Sequence, residues 1–403
     1  MKKHDIFSNL KTDLEDILRE GARKLLQQAI ENEVQELIDS YKDQRDEAGR
    51  KIVKRNGHLP PRQIQTGLGN IIVEQPRVRG VAFTSAILPK YMRRLPSIEA
   101  LVPALYLKGI STGDMQEALE SILGEKAKGL SATNIVRLKE SWEREYSDWN
   151  KRNLIGKRYV YIWADGIYFN VRLTDERPCI LVVLGATEEG DKELLAVYDG
   201  IRESKLSWQE VLKDLKMRGL QESPRLAIGD GALGFWAALE EEFPTCKEQR
   251  CWVHKTANIL DKMARSVQAH AKKLIHEMYM SPTKSKGLQA FESFISLYGA
   301  KYPKACDCLK KDKERLFTFY EFPAMHWQHI RTTNPIESTF ATVRHRSQKT
   351  KGCGSRIATL SMVYKLGISA QKHWRKLRGH ELITKIVQGI KFKDGEEVKE
   401  VAA

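Results

Sequence analysis

Apolar residues recur at helical spacing near the start of the chain, and the pattern changes several times further on. Between residues 8 and 40, leucine, isoleucine and valine form an amphipathic stripe that predicts one or two helices. Residues 52–80 are instead rich in proline, glycine and β-branched residues, which predicts a small hairpin or a linker. We therefore expect an N-terminal helical segment at 1–50, which either forms a dimer or packs within the chain, and a small β or linker segment at 51–95.

The pattern becomes helical again between Ser97 and about Trp142, within a segment assigned to 96–150. Three short helices separated by glycine-containing turns are typical of a helix-turn-helix DNA-binding domain. Its last helix would begin at Ser131 and present Arg137 and Lys139 to DNA. A small helical bundle without any DNA contact has the same pattern. The breaks between the helices lie at Gly109–Ser111, Gly124 and Gly129–Ser131.

Apolar runs rich in β-forming residues begin near residue 158 and predict an α/β core. A helical pattern without strands follows from about 256 to 330, which predicts an all-helical insertion. The predicted core elements are strands at 158–165, 167–173, 179–187 and 193–198, a helix from Ser207 to Arg218, a strand ending at Ile228, a helix from Ala232 and a strand near Lys247–Trp252.

Two aspartates stand out because each follows an apolar run and precedes a glycine. Asp165 lies in YVYIWADGIYFNVR and Asp230 lies in PRLAIGDGALGFWAAL. This context predicts that both carboxylates lie at the ends of adjacent strands and face a crevice. Asp-Gly is also an ordinary turn dipeptide, so either aspartate alone proves little.

A third carboxylate, Glu337 in RTTNPIESTFATVRHR, follows Asn334 and Pro335. We expect Asn334 to be the N-cap of a helix, Pro335 its first residue and Glu337 its third. Glu337 can alternatively be a capping-box residue that accepts a hydrogen bond from the Asn334 backbone N–H. The helix would place Glu337 and Arg344 on one face, two turns apart.

Three carboxylates gathered at one place repel one another, so a cation must hold them together. Oxygen ligands suit Mg²⁺ or Mn²⁺. Two such ions, roughly 3.5–4 Å apart, activate an attacking oxygen and stabilise a leaving oxygen at phosphorus. The sequence therefore predicts metal-dependent cutting or joining of a nucleic-acid backbone.

The charge distribution also predicts a polyanionic partner. The 403-residue chain has a formal net charge of +15, but residues 1–50 carry nine Lys or Arg against twelve Asp or Glu, a balance of −3. Residues 331–380 carry eleven Lys or Arg and one acid, Glu337, a balance of +10. The predicted DNA contacts in this region are Arg331, Asn334, Arg344, Arg346, Lys349, Lys351 and Arg356.

The three carboxylate contexts, their order, the basic residue seven positions after Glu337 and the Cys-x-x-His of Cys251 and His254 resemble the Mutator-type bacterial insertion-sequence transposases. The resemblance covers about residues 50 to 380. It implies a DDE transposase with a ribonuclease H-like mixed sheet and flanking helices, formed by 151–255 and 331–380 and interrupted by the helical insertion at 256–330. Independently of the resemblance, we expect a C-terminal helix and a tail within 381–403, and we expect the tail from Asp394 to Ala403 to be disordered because it is short and polar.

The resemblance also implies an activity and its partners. Asp165, Asp230 and Glu337 would bind Mg²⁺ or Mn²⁺, with two ions in each active site, and Arg344 would support them. The enzyme would cut double-stranded DNA at terminal inverted repeats and join the freed 3′-hydroxyl to target DNA. Because two ends are joined in concert, a homodimer is the simplest assembly.

Cys251 and His254 have two possible roles. With Cys246, Cys306, Cys308, His326 or His329 they could bind zinc, although their spacing is not that of a typical zinc site. Alternatively, they close the end of a strand and orient the site by hydrogen bonds. The family resemblance favours this second role.

Six cysteines without a regular spacing predict a reducing compartment and no disulfides. The N-terminus lacks the apolar core of a signal peptide, and no apolar run is long enough to span a membrane. We therefore expect a bacterial, cytoplasmic, nucleoid-associated protein. Two alternatives stay open: a sequence-specific DNA-binding regulator with a silent core, and a cellular nuclease that cuts without joining.

Overall fold

The structure is a computed structural model. It describes residues 3–42, 44–45, 50–95, 105, 110, 117–118, 121, 132–168, 179–200, 202–337 and 355–398. The chain divides into two compact units, Met1–Leu138 and Lys139–Ala403. Each unit has its own hydrophobic core.

The first unit combines one long helix with two small sheets. Helix α1 (Lys3–Ser40) is continuous. Strands β1 (Lys54–His58) and β4 (Pro76–Arg79) form one antiparallel pair, and β2 (Arg62–Thr66) and β3 (Gly69–Val73) form another. The expected β segment at 51–95 is therefore a set of paired short strands.

Among the described side chains, the apolar residues of α1 that are buried against these strands lie in its C-terminal half. Ile30 is buried against Ile64, Ile71 and Val73. Val34, one turn further along α1, is also buried. Apolar residues nearer the start of α1 are exposed, and they are Leu14, Ile17, Leu18 and Leu25. The predicted amphipathic stripe thus has a packed half and an exposed half, and dimerisation through α1 stays a prediction.

The predicted helix-turn-helix segment lies mostly outside the described residues. Its last helix is α2 (Ala132–Asn150), which continues well beyond the predicted end. In the second unit, Trp142 and Tyr146 are buried, and the Tyr146 hydroxyl donates to the Val197 carbonyl at 2.7 Å. The C-terminal half of α2 is therefore a packing element of this unit.

The second unit is built around one five-stranded mixed sheet. Its strands are β5 (Tyr159–Tyr168), β6 (Cys179–Thr187), β7 (Lys192–Gly200), β8 (Leu226–Gly229) and β9 (Lys247–Arg250). The strand order is β7-β6-β5-β8-β9. Strands β5, β6 and β7 are antiparallel neighbours, whereas β8 and β9 run parallel to β5. The predicted separate strands at 158–165 and 167–173 are wrong, because β5 continues through Asp165 to Tyr168 while it pairs with β6.

Helices cover one face of this sheet. Helix α3 (Lys205–Met217) begins after Ser204, whose side chain accepts from the Ser207 N–H, and α4 is Leu233–Glu242. Side chains of α3 at spacings of three and four residues form its buried stripe. They pack with α4 on alternate residues of β5 and β6, and they are Trp208, Val211, Leu212 and Leu215.

The other face of β5 packs against the segment that contains His326 and His329, which lies more than about seventy residues after the last strand of the sheet. The Tyr161 hydroxyl lies 2.7 Å from His326 Nδ1, and the Trp163 indole N–H donates to the His329 carbonyl at 3.0 Å. Because both faces are covered, β6 is buried at every position, which explains its continuous apolar sequence.

The range from Trp252 to Ile330 is fully described and contains helices but no strand, as the sequence predicts. Its helices are α5 (Trp252–Leu260), α6 (Arg265–Met280), α7 (Lys284–Tyr298), α8 (Pro303–Lys310), α9 (Lys313–Leu316) and α10 (Trp327–Ile330), with short 3₁₀ turns at Thr318–Glu321 and Ala324–His326.

The C-terminal part of the chain packs back on the second unit. Helix α11 (Arg356–Gln371) lies beside β7, where the Leu194 N–H donates to the Gln371 side chain at 2.8 Å. A 3₁₀ turn (His380–Leu382) and α12 (Ile383–Val387) lead to a hairpin of β10 (Phe392–Lys393) and β11 (Glu396–Glu397).

The expected disorder from Asp394 onwards is wrong for residues 394–398. The Asp394 carboxylate accepts the Lys284 backbone N–H at 2.6 Å, and this contact fixes the turn of the hairpin. Among the described residues, every helix is too short or too polar for a membrane span.

We expect Gly287→Ala to destabilise the helical range. A Cβ at Gly287 in α7 would lie 2.6 Å from the Met278 carbonyl oxygen and 2.9 Å from the Phe317 ring. This clash should lower the free energy of unfolding by about 1–3 kcal/mol, despite a gain of about 1 kcal/mol in helix propensity.

Gly21→Ala is the matched control, because Gly21 is also helical and a Cβ there has nothing within 4 Å. Urea unfolding of both variants checks the expectation. Equal or greater stability of Gly287→Ala would contradict the close packing of α6 and α7.

Candidate active site

The parallel pairing of β5 and β8 places the two aspartates side by side. Ala164 pairs with Gly229 across the two strands. Asp165 and Asp230 are the residues that directly follow this pair. Residues at matching positions of parallel neighbouring strands project to the same side of a sheet. Asp230 directly follows β8, as predicted, and its Oδ1 accepts the Ala232 N–H at 3.0 Å.

Asp165 differs from its predicted position. It lies inside β5, opposite Val182 of β6, and its residue surface is 5% exposed. The prediction of a strand-end carboxylate facing an open crevice is therefore wrong for Asp165. The reason is that β6 pairs with β5 as far as Tyr168, so the Asp-Gly dipeptide stays extended and does not turn.

Glu337 lies in the first turn of a helix that begins at Asn334. The Glu337 N–H donates to the Thr333 carbonyl at 3.1 Å. Because the N-cap residue is the one whose carbonyl accepts the first intrahelical hydrogen bond, the cap is Thr333. The assignment of Asn334 as N-cap was therefore wrong by one residue.

The Thr333 hydroxyl is the centre of a small polar network that holds Glu337. It lies 3.0 Å from Glu337 Oε1, 3.3 Å from Cys251 Sγ and 3.3 Å from His254 Nδ1. The Thr333 backbone N–H also donates to Cys251 Sγ at 3.3 Å. Thr333 itself is completely buried, so no water competes for these contacts.

The same network bears on the two roles considered for Cys251 and His254. Among the described residues, Cys251, His254 and Glu337 are the group whose possible ligand atoms lie within 4.8 Å of one another. The Thr333 hydroxyl lies within hydrogen-bonding distance of all three. This arrangement supports the interpretation that Cys251 and His254 orient Glu337 by hydrogen bonds.

Two of the remaining zinc candidates, His326 and His329, have other partners. His326 contacts the Tyr161 hydroxyl through Nδ1 and the Gly379 carbonyl through Nε2, each at 2.7 Å. His329 Nε2 accepts the Arg378 N–H at 3.2 Å. Cys306 is buried in α8.

His254 carries a positive charge at neutral pH. Its hydrogen bond to Cys251 raises the pKa of His254 to about 9 against the opposing effect of burial, with further contributions from the charges of Cys251, Asp165 and Glu337. Burial favours the neutral Cys251 thiol, but the hydrogen bonds and charge of His254 hold the pKa of Cys251 below its ordinary value. Asp165 and Glu337 therefore both act on the same imidazolium.

The glycine after each aspartate makes room for a charged side chain. A Cβ at Gly166 would lie 2.4 Å from the carboxyl carbon of Glu203. Gly231, at φ +94°, has its Cβ position filled by the guanidinium of Arg250, which is buried. Arg250 in turn lies 3.5 Å from Asp312, between α8 and α9.

Glu203 was not predicted from the sequence. Burial and, to a smaller extent, the negative charges of Asp230 and Asp165 together raise the pKa of the Glu203 carboxyl to about 7, against opposing contributions from Tyr168 and His254. The available signal was the glycine after Asp165, which permits a close approach without naming the side chain that makes it.

The predicted DNA contacts are only partly described. The Arg331 guanidinium donates to the Tyr279 carbonyl at 2.8 Å and lies over the Tyr279 ring, so it is anchored to α6. Arg356 lies 3.7 Å from Asp199, Asn334 is exposed and Lys139 is half-buried. The side chain of Arg137 and all of Arg344, Arg346, Lys349 and Lys351 lie outside the described residues.

Sequence comparison identifies the family. The model of the family described as "Transposase, Mutator family" matches residues 2–376. The chain belongs to the Mutator family of transposases. The resemblance stated from the sequence motifs is confirmed.

Named relatives of this transposase cover most of its length. The transposase for insertion sequence element IST2 of Acidithiobacillus ferrooxidans is 49% identical over 288 residues, which are 70% of this chain and 95% of the relative. The transposase for IS6120 of Mycolicibacterium smegmatis is 48% identical over 295 residues, 73% of this chain and 91% of the relative. A more distant relative is the transposase for IS256 in transposon Tn4001 of Staphylococcus aureus, 26% identical over 339 residues, 83% of this chain and 85% of the relative.

We expect Thr333→Val to slow the transposase while it stays folded. Valine has a similar shape but lacks the hydroxyl that contacts Glu337, Cys251 and His254. Loss of such a supporting contact should reduce DNA cleavage by about 10–100-fold.

Thr333→Ser is the matched control, because it keeps the hydroxyl and should recover most of the activity. Cleavage of DNA that carries the ends of the element, followed with circular dichroism of each variant, provides the measurement. Equal activity of the valine and serine variants would argue against a role for the hydroxyl.

We also expect His329 to make the transposase acid-sensitive. Burial lowers the pKa of His329 to about 4, with contributions from the positive charges of Lys192, His326 and Arg378. Because the unfolded chain takes up this proton near the ordinary histidine pKa and the folded chain does not, stability is lost as the pH falls from about 6.5 towards 4.

His329→Gln should therefore lose less stability than wild type between pH 7.5 and 5, as measured by urea midpoints. The exposed His373, substituted in the same way, should behave like wild type. An identical pH dependence in wild type and His329→Gln would contradict the neutral, buried state of His329.

Proposed function

We propose that this transposase cuts DNA at the ends of an insertion sequence and joins the freed 3′-hydroxyl to target DNA, through divalent metal ions held by Asp165, Asp230 and Glu337. The observation that carries the proposal is the pairing of Ala164 with Gly229, which places Asp165 and Asp230 next to each other on neighbouring chain segments, beside the C-terminal end of β8. Glu337 approaches from a separate helix, and its Oε1 lies 3.6 Å from His254 Nδ1.

The architecture supports a ribonuclease H-like assignment for the catalytic core. Three antiparallel strands continue into two parallel strands, and the first strand of the core, β5, lies in the middle of the sheet. The mixed sheet with covered faces is what the family resemblance implies. The helical range Trp252–Ile330 then corresponds to the insertion that separates Asp230 from Glu337.

The donor groups of the proposed site fit Mg²⁺ or Mn²⁺. They are carboxylates, which such hard cations prefer. Asp165 is almost completely buried, and its charge with that of Asp230 raises the pKa of the nearby Glu203 carboxyl, so the local negative charge calls for a cation. Two bound ions would supply activation of the attacking oxygen and stabilisation of the leaving oxygen at phosphorus.

Each described side chain then has a distinct task. Asp165 and Asp230 would present oxygen ligands from neighbouring strands, and Glu337 would present a third from its helix. Thr333 and His254 would fix the orientation of Glu337. None of these steps needs a covalent bond between the protein and DNA.

Double-stranded DNA is the proposed substrate, both as terminal inverted repeats and as target. The basic balance of residues 331–380 supports a polyanionic partner near Glu337. The curated relatives are named as transposases for insertion sequence elements. Because two ends must be joined together, a homodimer is the proposed assembly.

The test is an assay of strand cleavage and strand joining in Mg²⁺ or Mn²⁺. Its substrate is DNA that carries the end sequences flanking the gene. We expect wild type to cut and join, and Glu337→Gln to lose at least about 100-fold in rate, because a neutral amide is a far weaker ligand for a hard cation. The exposed Glu314→Gln variant should keep full activity.

Three other outcomes have different meanings. Full activity of Glu337→Gln would remove Glu337 from the proposed site. Cleavage without joining by the wild-type protein would favour a nuclease. Tight binding of end DNA without any cleavage would favour a DNA-binding regulator.

A further inference from the structure

Glu203 lies between β7 and α3, immediately before the N-cap residue Ser204. Its carboxyl group lies against the backbone of Gly166, the residue after Asp165. An ideal Cβ at Gly166 would lie 2.4 Å from both Cδ and Oε1 of Glu203. The carboxyl group therefore occupies the space that any other side chain at position 166 would take.

The position of Gly166 on the sheet gives this contact its significance. Alternate residues of β5, including Ile162 and Ala164, face the core formed by α3 and α4. Gly166 continues this series, whereas Asp165 belongs to the opposite series with Tyr161 and Trp163. Since Gly166 has no side chain, the Glu203 carboxylate can contact the backbone of β5 on the face covered by α3, one residue from Asp165.

The backbone at Glu203 is fixed from the other side by α4. A Cβ at Gly234, in the first turn of α4, would lie 2.5 Å from the Glu203 carbonyl oxygen and 2.6 Å from the Ser204 carbonyl carbon. Helix α4 begins directly after the Asp230 turn. Glu203 is therefore held between the segment that follows Asp165 and the segment that follows Asp230.

We propose that Glu203 is a fourth carboxylate ligand of the divalent metal site formed by Asp165, Asp230 and Glu337. This inference rests on the proposed function. Charge balance supports it: two divalent cations carry four positive charges, and four carboxylates carry four negative charges.

Direct measurement of metal binding tests the role of Glu203 without reference to activity. The full chain, free of DNA, is titrated with Mn²⁺ and followed by electron paramagnetic resonance. We expect Glu203→Gln to bind one ion at least about tenfold more weakly than wild type. Glu210→Gln, an exposed glutamate on α3, is the matched control and should bind like wild type.

Thermal melting separates a ligand from a merely structural glutamate. Without metal, Glu203→Gln should melt at the same temperature as wild type or higher, because one charge is removed from beside Asp165 and Asp230. The increase in melting temperature caused by Mn²⁺ should be smaller than in wild type. Lower melting temperatures by an equal amount with and without Mn²⁺ would overturn the proposal.

Gly166→Ala provides a second variant that keeps every carboxylate. Its Cβ would displace only the end of the flexible Glu203 side chain, so the strand should still fold. We expect Gly166→Ala to weaken Mn²⁺ binding as Glu203→Gln does, and the double variant to be no weaker than either. Additive losses would mean that the two changes act independently, and the proposal would fail.

Asp165→Asn, measured beside these variants, distinguishes the two levels of inference. If Asp165→Asn loses Mn²⁺ binding and Glu203→Gln does not, the role of Glu203 is wrong and the metal site stands. If wild type binds no Mn²⁺, or if Asp165→Asn and Glu337→Gln bind it as wild type does, the proposed metal site fails and the role of Glu203 fails with it.

Discussion

The parallel pairing of β5 with β8 is the contact on which the candidate site depends. It forces two carboxylates, Asp165 and Asp230, into neighbouring positions although like charges repel. The sheet tolerates this arrangement because its strands are covered on both faces and its hydrogen bonds are made regardless of side-chain charge. The free energy of burying the sheet therefore holds the aspartates where electrostatics alone would separate them.

A second long-range constraint brings Glu337 to the same place. The Trp252 N–H donates to the Arg331 carbonyl at 3.0 Å, which closes the helical range on itself. Thr333 follows two residues later and contacts Cys251, so the start of α5 and the start of the Glu337 helix share one buried hydroxyl. A buried polar group that loses its hydrogen-bond partner destabilises the fold by more than the bond itself contributes. Contacts of this kind therefore fix the orientation of Glu337.

The sequence predicted the order and type of most core elements, because apolar periodicity reports local burial. It also predicted the family, which sequence comparison confirms, whereas the role of the three carboxylates stays a prediction. It failed where distant residues decide the local outcome: β6 keeps Asp165 extended, and Asp394 is ordered by Lys284. The sequence analysis missed Glu203 for the same reason, because Glu203 and Gly166 are distant in the chain and no sequence motif indicates that they are in contact.

The separation of Asp230 and Glu337 has a consequence for the life of the protein in the cell. A chain still on the ribosome can carry both aspartates and yet lack the third carboxylate, which is encoded 107 residues later. Helices α5 to α10 must also fold before Thr333 and Glu337 can come together with Cys251. Under the proposed function, a chain that ends before Glu337 lacks one of the three carboxylates and therefore cannot assemble the cutting site.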